Sequence, residues 1–223
     1  MSIAINEKFI YPKTIREAIS GHRHYAVGEE KLPSVTTILG ETKDKSFLKE
    51  WKKRVGEEEA ERIKNSASTR GSVMHHIIEE YIKGNKHVDL TSIGQRAGVM
   101  ANIIISKGLS KVNSVYGIEA VMHYPGLYAG SADLVGIHEG QDAIMDFKQT
   151  NKPKREEWIE DYFLQLAAYA MAHDYVYGTQ INKGVIMMCS VDSYYQEFIV
   201  EGEKLRYYKH EFLRRLDKYH GIK

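Results

Sequence analysis

The chain has 223 residues, 27% of them charged, with a formal net charge of +1 and a single cysteine. That length suits one substantial α/β domain, and the balanced charge excludes a general polyelectrolyte binder, so any nucleic-acid surface must be local. The lone Cys189 excludes a disulfide framework, a thiolate zinc site or a four-cysteine cluster within the chain, and no apolar run approaches the ~18 residues of a membrane span.

Residues 1–31 carry short β-like pieces around a polar turn at Gly21–His24. Leu32, Pro33 and Ser34 introduce a short helix with Ser34 as its N-cap. Ser34 and Thr36 there either simply cap the helix or offer its N–H groups to a phosphate. From Ser46 to about Lys64 a charged helix is predicted, with Leu48, Trp51, Val55 and Ile63 on a thin apolar stripe. A polar break follows at residues 65–69. Gly71 to Ile82 reads as an amphipathic helix stopped by Gly84, and Gln95 to about Lys107 as another. Gly117 to His123 alternates as a strand. Leu134–Ile137 and Ala143–Phe147 pair as a hairpin around Glu139 and Gly140. Pro153 opens a long helix to about Tyr175, strands follow near 184–191 and 194–200, and a basic, aromatic helix runs from Glu203 to Tyr219.

This alternation predicts a single domain over residues 1–223, with a central sheet flanked by helices. Residues 34–110 are expected to form a mainly helical cap, 111–200 the sheet core with its following helix, and 203–223 the C-terminal basic helix.

The chemistry concentrates in the hairpin. Its turn sets 138 opposite 141 and 137 opposite 142, which carries Asp133 to a position facing Asp146. Two carboxylates opposed on one face repel. Lys148, two residues beyond Asp146, shares that face. Such a group suits either a hard divalent cation beside an ammonium or an ordinary solvated Asp/Lys pair. His75 and Glu79, four apart on a helix, supply a metal ligand or a polar pair at the rim of the core. Gln165 and Tyr169 are also four apart, within a stripe that otherwise reads as core-facing. Basic clusters at Lys52, Lys53 and Arg54, at Lys152, Lys154 and Arg155, and along 204–223 hold phosphates or are solvated faces.

Taken in order, Gly71/His75/Glu79, Gly130/Asp133, Asp146/Lys148 and Gln165/Tyr169 resemble the RecB-type branch of the PD-(D/E)XK nucleases. The likeness is greatest to the mitochondrial genome maintenance exonuclease group and its phage relatives, through Leu32–Leu39, Arg70–Gly71, Asp146–Lys154 and Gln165–Tyr169, and spans about residues 32–175. Ala132 stands where the wider superfamily often has proline. The resemblance implies a restriction-endonuclease-like core with a helical cap. It also implies a Mg²⁺- or Mn²⁺-dependent DNA exonuclease for single-stranded ends or flaps, in replication, recombination or repair. Asp133, Asp146, His75 and the Phe147 carbonyl would hold the metal, Glu79 would order His75 or a metal-bound water, and Glu119 could reach the ion through water. Lys148 would orient the attacking water, positioned by Gln165 and Tyr169. Ser34, Thr36, Lys52, Lys53, Arg54, Arg70, Lys152 and Lys154 would contact DNA. The alternatives are a double-strand-end exonuclease or structure-specific endonuclease on the same fold, and a DNA-binding module without catalysis. Intact Asp133, Asp146 and Lys148 argue against the last. The N-terminus has no signal-peptide core and little transit character, so the expected setting is the cytoplasm of a bacterium or a phage-infected host.

Overall fold

The computed structural model describes residues 3–221. Among them the strands form two sheets. β1 (Ala4–Ile5) is a short edge strand, and β2 (Ile15–Ile19), β3 (His22–Val27) and β4 (Glu30–Pro33) form a small antiparallel sheet. Three helices follow: α1 (Val35–Thr42), α2 (Ser46–Val55) and α3 (Glu57–Ile82). After α4 (Ser92–Lys107) come β5 (Val112–Tyr124), β6 (Tyr128–His138) and β7 (Gln141–Thr150). α5 (Glu160–Tyr177) then crosses over to β8 (Lys183–Ser190), β9 (Tyr195–Glu201) pairs back, and α6 (Gly202–His220) ends the chain.

The main sheet has the order β1-β5-β6-β7-β8-β9. The β5, β6 and β7 strands are antiparallel, β8 lies parallel to β7, and β9 returns antiparallel, so the sheet is mixed. A parallel β7/β8 pair needs a long crossover, which α5 supplies. Both faces are covered, as the near-continuous burial of β6 and β8 requires. On one face α1, α5 and α6 pack through Ile38, Phe163, Leu166 and Phe212. On the other, α3 and α4 pack through Met74, Ile78, Met100 and Ile104. The expected α/β class with a central mixed sheet between helices is the observed one.

The hairpin turn has left-handed backbone at both central residues, Glu139 (φ 47°) and Gly140 (φ 83°). That is the geometry whose twist suits a two-residue hairpin. Its register pairs His138 with Gln141 and continues to Leu134 with Met145, as expected from the turn.

Three expectations are corrected. The helix predicted over 46–64 is cut at Gly56, whose φ of 88° lies outside helical space. The break predicted at 65–69 is instead the interior of α3, where weak propensity yields to packing of Ala60, Arg70 and Met74. The helix predicted from Pro153 begins only at Glu160, because the Gln196 side chain ties up both the N–H and the C=O of Lys154 at 2.7 Å and holds that stretch non-helical. α4 and the later half of α3 are a packed layer on the sheet, and only α2 buries no residue.

Candidate active site

Alternation along β7 puts Met145 and Phe147 into the α3/α4 layer and leaves Asp146 and Lys148 facing α5. Along β6 the alternation changes phase at Asp133: Ala132 belongs to one core layer and Leu134 to the other. The same happens on β5 at Glu119, whose φ is +48° and whose neighbours Ile118 and Ala120 fall in different layers. The ladder hydrogen-bond pairing lapses there. Asp133 Oδ2 instead accepts the Phe147 N–H at 2.7 Å, which pins the carboxylate between the two strands. Local distortion of a sheet beside a functional site is a recurrent device for re-aiming side chains.

From α3, His75 Nδ1 reaches to 3.4 Å from Asp133 Oδ1. From α5, Gln165 Nε2 donates to Asp146 Oδ1 at 3.2 Å and to the Tyr169 hydroxyl at 3.1 Å. Gly130 makes room for that tyrosine, since a Cβ there would lie 2.4 Å from Tyr169 Cε1. The Lys148 ammonium contacts Asp146 Oδ2 and sits 5.0 Å from the centre of the Tyr162 ring. These groups line one open cleft of about 860 Å³. Its walls are the small sheet, through Arg16, Arg23 and Tyr25, and α3, through Ser68, Ser72 and His76.

The electrostatics separate the two carboxylates. Burial and the neighbouring Asp133 charge push Asp146 up to about 6. Burial also acts to raise Asp133, but His75 and Lys148 outweigh it and its pKa is lowered. Burial acts to lower His75 and Lys148, and the aspartates more than offset this, so both are raised. Two buried carboxylates driven apart in this way, one by burial and a like charge and the other by basic neighbours, are a mark of functional sites.

The donors fit a divalent metal. His75, Glu119 and Asp133 each bring a ligand atom, all within 4.8 Å of one another. Asp146 Oδ2 is buried and meets the Lys148 ammonium. One imidazole nitrogen and carboxylate oxygens of this kind can hold a divalent cation.

The other expected residues divide. Ser34 and Thr36 line the cleft, but Ser34 Oγ is committed to capping α1, accepting the Thr37 N–H at 3.0 Å. Glu79 also lines the cleft, yet it pairs with Lys83 at 2.6 Å and approaches His76 rather than His75. The expected His75/Glu79 pair is thus corrected, because the helix turns Glu79 toward its own C-terminal neighbours. Arg70 is corrected too: it is a buried strut, its Nε donating to Gln149 Oε1 at 2.9 Å and its other arm bonding Asn151. The cations Lys52, Lys53 and Arg54 project from exposed α2 outside the cleft lining. Lys152 is exposed, and Lys154 lines a separate surface hollow with Phe47, Trp158 and Arg215. Much of the basic C-terminal helix is spent internally, with Lys209 on Asp174 and Lys218 on the Thr42 carbonyl. Phe147 contributes its N–H to Asp133 and buries its ring beneath the site.

Sequence reasoning missed Arg16, Arg23, Tyr25 and Gln149. Gln149 stood one residue beyond Lys148 and was within reach of the motif. The three from the small sheet carried no periodic signal strong enough to place them.

No protein-family profile matches the chain. Mitochondrial genome maintenance exonuclease 1 of Xenopus tropicalis is 26% identical, over 96% of this chain and 64% of that protein. The Homo sapiens protein of the same name is 28% identical over 84% of this chain and 58% of that one. The chain therefore spans about three fifths of the length of these relatives. Among solved structures, SSO0001 aligns with a TM-score of 0.48 at 13% identity, over 89% of this chain and 79% of that one. An alkaline exonuclease from Laribacter hongkongensis aligns at 0.30 and 16% identity, over 68% and 81%. Over most of its length the chain is thus similar to proteins named mitochondrial genome maintenance exonuclease 1.

Proposed function

We propose that this protein is a metal-dependent DNA exonuclease that hydrolyses phosphodiester bonds at single-stranded ends or flaps. The observation that carries the reading is the convergence of Asp133, Asp146 and Lys148 with His75 and Glu119 in one open cleft. Carboxylates crowded where an anionic strand would lie are unfavourable unless a cation joins them. The relatives named as exonucleases support the same activity.

Asp133, Asp146 and His75, with Glu119 in reach, would hold Mg²⁺ or Mn²⁺, which supplies Lewis-acid polarisation of a phosphate and a bound water of lowered pKa. Lys148 orients the attacking water and offsets charge that grows on the phosphate oxygens in the transition state. Tyr162 lies against the ammonium, and Asp146 anchors it, so little reorganisation is needed. Gln165 fixes Asp146 and is itself fixed by Tyr169, which makes the pair positioning residues for the carboxylate. Thr36, exposed at the far wall, offers its hydroxyl group to the strand, while Ser34 caps α1 beneath it. The products would be a 5′-phosphate and a 3′-hydroxyl. The proposed setting is replication, recombination or repair in a bacterial or phage-infected cytoplasm, although the curated relatives are named for mitochondria.

The test is degradation of end-labelled single-stranded and blunt duplex DNA, linear and circular, with Mg²⁺, Mn²⁺ or EDTA. Loss of linear single strands alone, dependent on metal, is the expected result. Cutting of circles would turn the reading to an endonuclease, and loss of blunt duplexes to a double-strand-end enzyme. Folded protein that binds DNA without cutting under any metal would sink it.

A further inference from the structure

The most unexpected contact in the cleft joins the two sheets. Arg16 on β2 donates to Glu119 Oε2 at 2.9 Å, across 103 residues of sequence. Ser131 Oγ donates to the same oxygen at 3.1 Å. Both bonds fall on Oε2, so Oε1 has no hydrogen-bond partner among the described residues, and Glu119 belongs to the group whose ligand atoms converge with His75 and Asp133. Glu119 reaches this position from a backbone at φ +48°, a conformation a glutamate adopts at a cost.

We propose that Arg16 is a positioning residue that stands in for the metal: it neutralises Glu119 in the ion-free site and passes to the DNA phosphate when the ion takes that carboxylate. This rests on the nuclease reading above. Charge matching is the first argument. Glu119 and Asp146 are met by Arg16 and Lys148, and Asp133 by His75, which is a cation only when protonated, so each carboxylate of the ion-free cleft has a basic neighbour. A divalent ion leaves it with an excess of positive charge, which an incoming phosphate matches. Exchangeability is the second. The Arg16 side chain is 50% exposed and that of Glu119 36%, and a half-exposed pair holds weakly. Asp133 and Asp146 have no such freedom, being buried between strands. Placement is the third. Arg16 reaches the cleft from an exposed strand beside Arg23, whose own side chain forms no ion pair among the described residues. A guanidinium released from Glu119 therefore stays in the cleft, where its planar fork matches a phosphate.

Arg16→Gln, Glu119→Gln and the double variant are titrated with Mn²⁺ alone by calorimetry. A fluorescent single-stranded oligonucleotide is titrated in Ca²⁺ at several salt concentrations. If Arg16 competes with the ion, Arg16→Gln tightens Mn²⁺ binding roughly threefold. That gain vanishes in the Glu119→Gln background. Oligonucleotide binding weakens, and its salt slope becomes shallower by about 0.7, one phosphate contact on a single strand. Arg16→Lys, which keeps the charge without the fork, should fall between and serves if Arg16→Gln fails to fold. Weaker or unchanged Mn²⁺ binding in Arg16→Gln, or an unchanged salt slope, overturns the proposal. Wild-type protein that cuts DNA while Arg16→Gln shows no Mn²⁺ gain overturns this inference alone. Wild-type protein that neither cuts nor binds DNA overturns the nuclease reading and the phosphate half of this one, and the Mn²⁺ cycle still decides the competition for Glu119.

Discussion

In β6 of the main sheet, Ala129, Ala132, Leu134 and Val135 are all fully buried, whereas in β2 of the small sheet Ile15 is 70% and Ile19 36% exposed. Both elements face the same cleft. The main sheet carries the carboxylates and Lys148 on strands clamped from two sides, and the small sheet carries Arg16 and Arg23 on a half-exposed ribbon. A group that must hold a fixed geometry gains from a close-packed support, and a group that exchanges partners gains from a loose one. The division of chemistry between the two sheets follows that difference in packing.

The largest test of the comparison is catalytic. Lys148→Ala should lower cleavage of a single-stranded substrate by about a thousandfold with an unchanged far-UV circular dichroism spectrum. Arg16→Gln, from the small sheet, should cost at most about tenfold. A reversed order would break the assignment of fixed chemistry to the main sheet.

The next effect is on stability against pH. Folded Asp146 holds its proton more tightly than the unfolded chain does, with its pKa near 6 against an ordinary 3.8. Its contribution is therefore full below pH 3.8 and is lost as pH rises through 6. The raised His75 acts in the same direction above its ordinary 6.5, and the lowered Asp133 acts oppositely but only below 3.8. Metal-free protein should lose up to about 3 kcal/mol between pH 4 and 7.5 from Asp146. Urea titrations across that range should show the decline, and Asp146→Asn should flatten it. A wild-type curve that rises over the interval would contradict the electrostatics of the site.

Glycines sharpen the contrast further. Gly130→Ala drives a methyl group into Tyr169 and should cost about 2 kcal/mol, with reduced cleavage as Gln165 loses its partner. Gly21→Ala, at φ +79° with nothing within 4 Å, should cost about 1 kcal/mol and leave kcat alone. Thermal melts and initial rates of the two variants measure both halves. The smallest effect is at the junction. Ser34→Ala removes the N-cap of α1 and should cost about 1 kcal/mol in denaturant titrations.

How much of this was legible varied with the kind of signal. The hairpin could be read because two strands with a two-residue turn leave one register, observed as far as Leu134 with Met145, and Asp133 and Asp146 lie just beyond its end. Gln165 was ambiguous between core and site, since helical spacing alone does not say which neighbour a buried amide finds; Asp146 and Tyr169 resolved it. Glu119 could not be placed by alternation, because alternation itself breaks at that residue. Arg70 looked like a phosphate ligand and is a strut, since nothing local reveals that Gln149 and Asn151 lie within reach of it.

By itself the sequence determined the α/β class, the hairpin register and the Asp133/Asp146/Lys148 group, all consequences of short-range periodicity and turn geometry. Only the tertiary structure decided that Glu119 joins His75 and Asp133, that the small sheet walls the cleft, and which cations are free and which are bound internally. Those outcomes depend on contacts between residues far apart in the chain, such as Arg16 with Glu119, and such contacts follow from how the layers pack rather than from any local pattern.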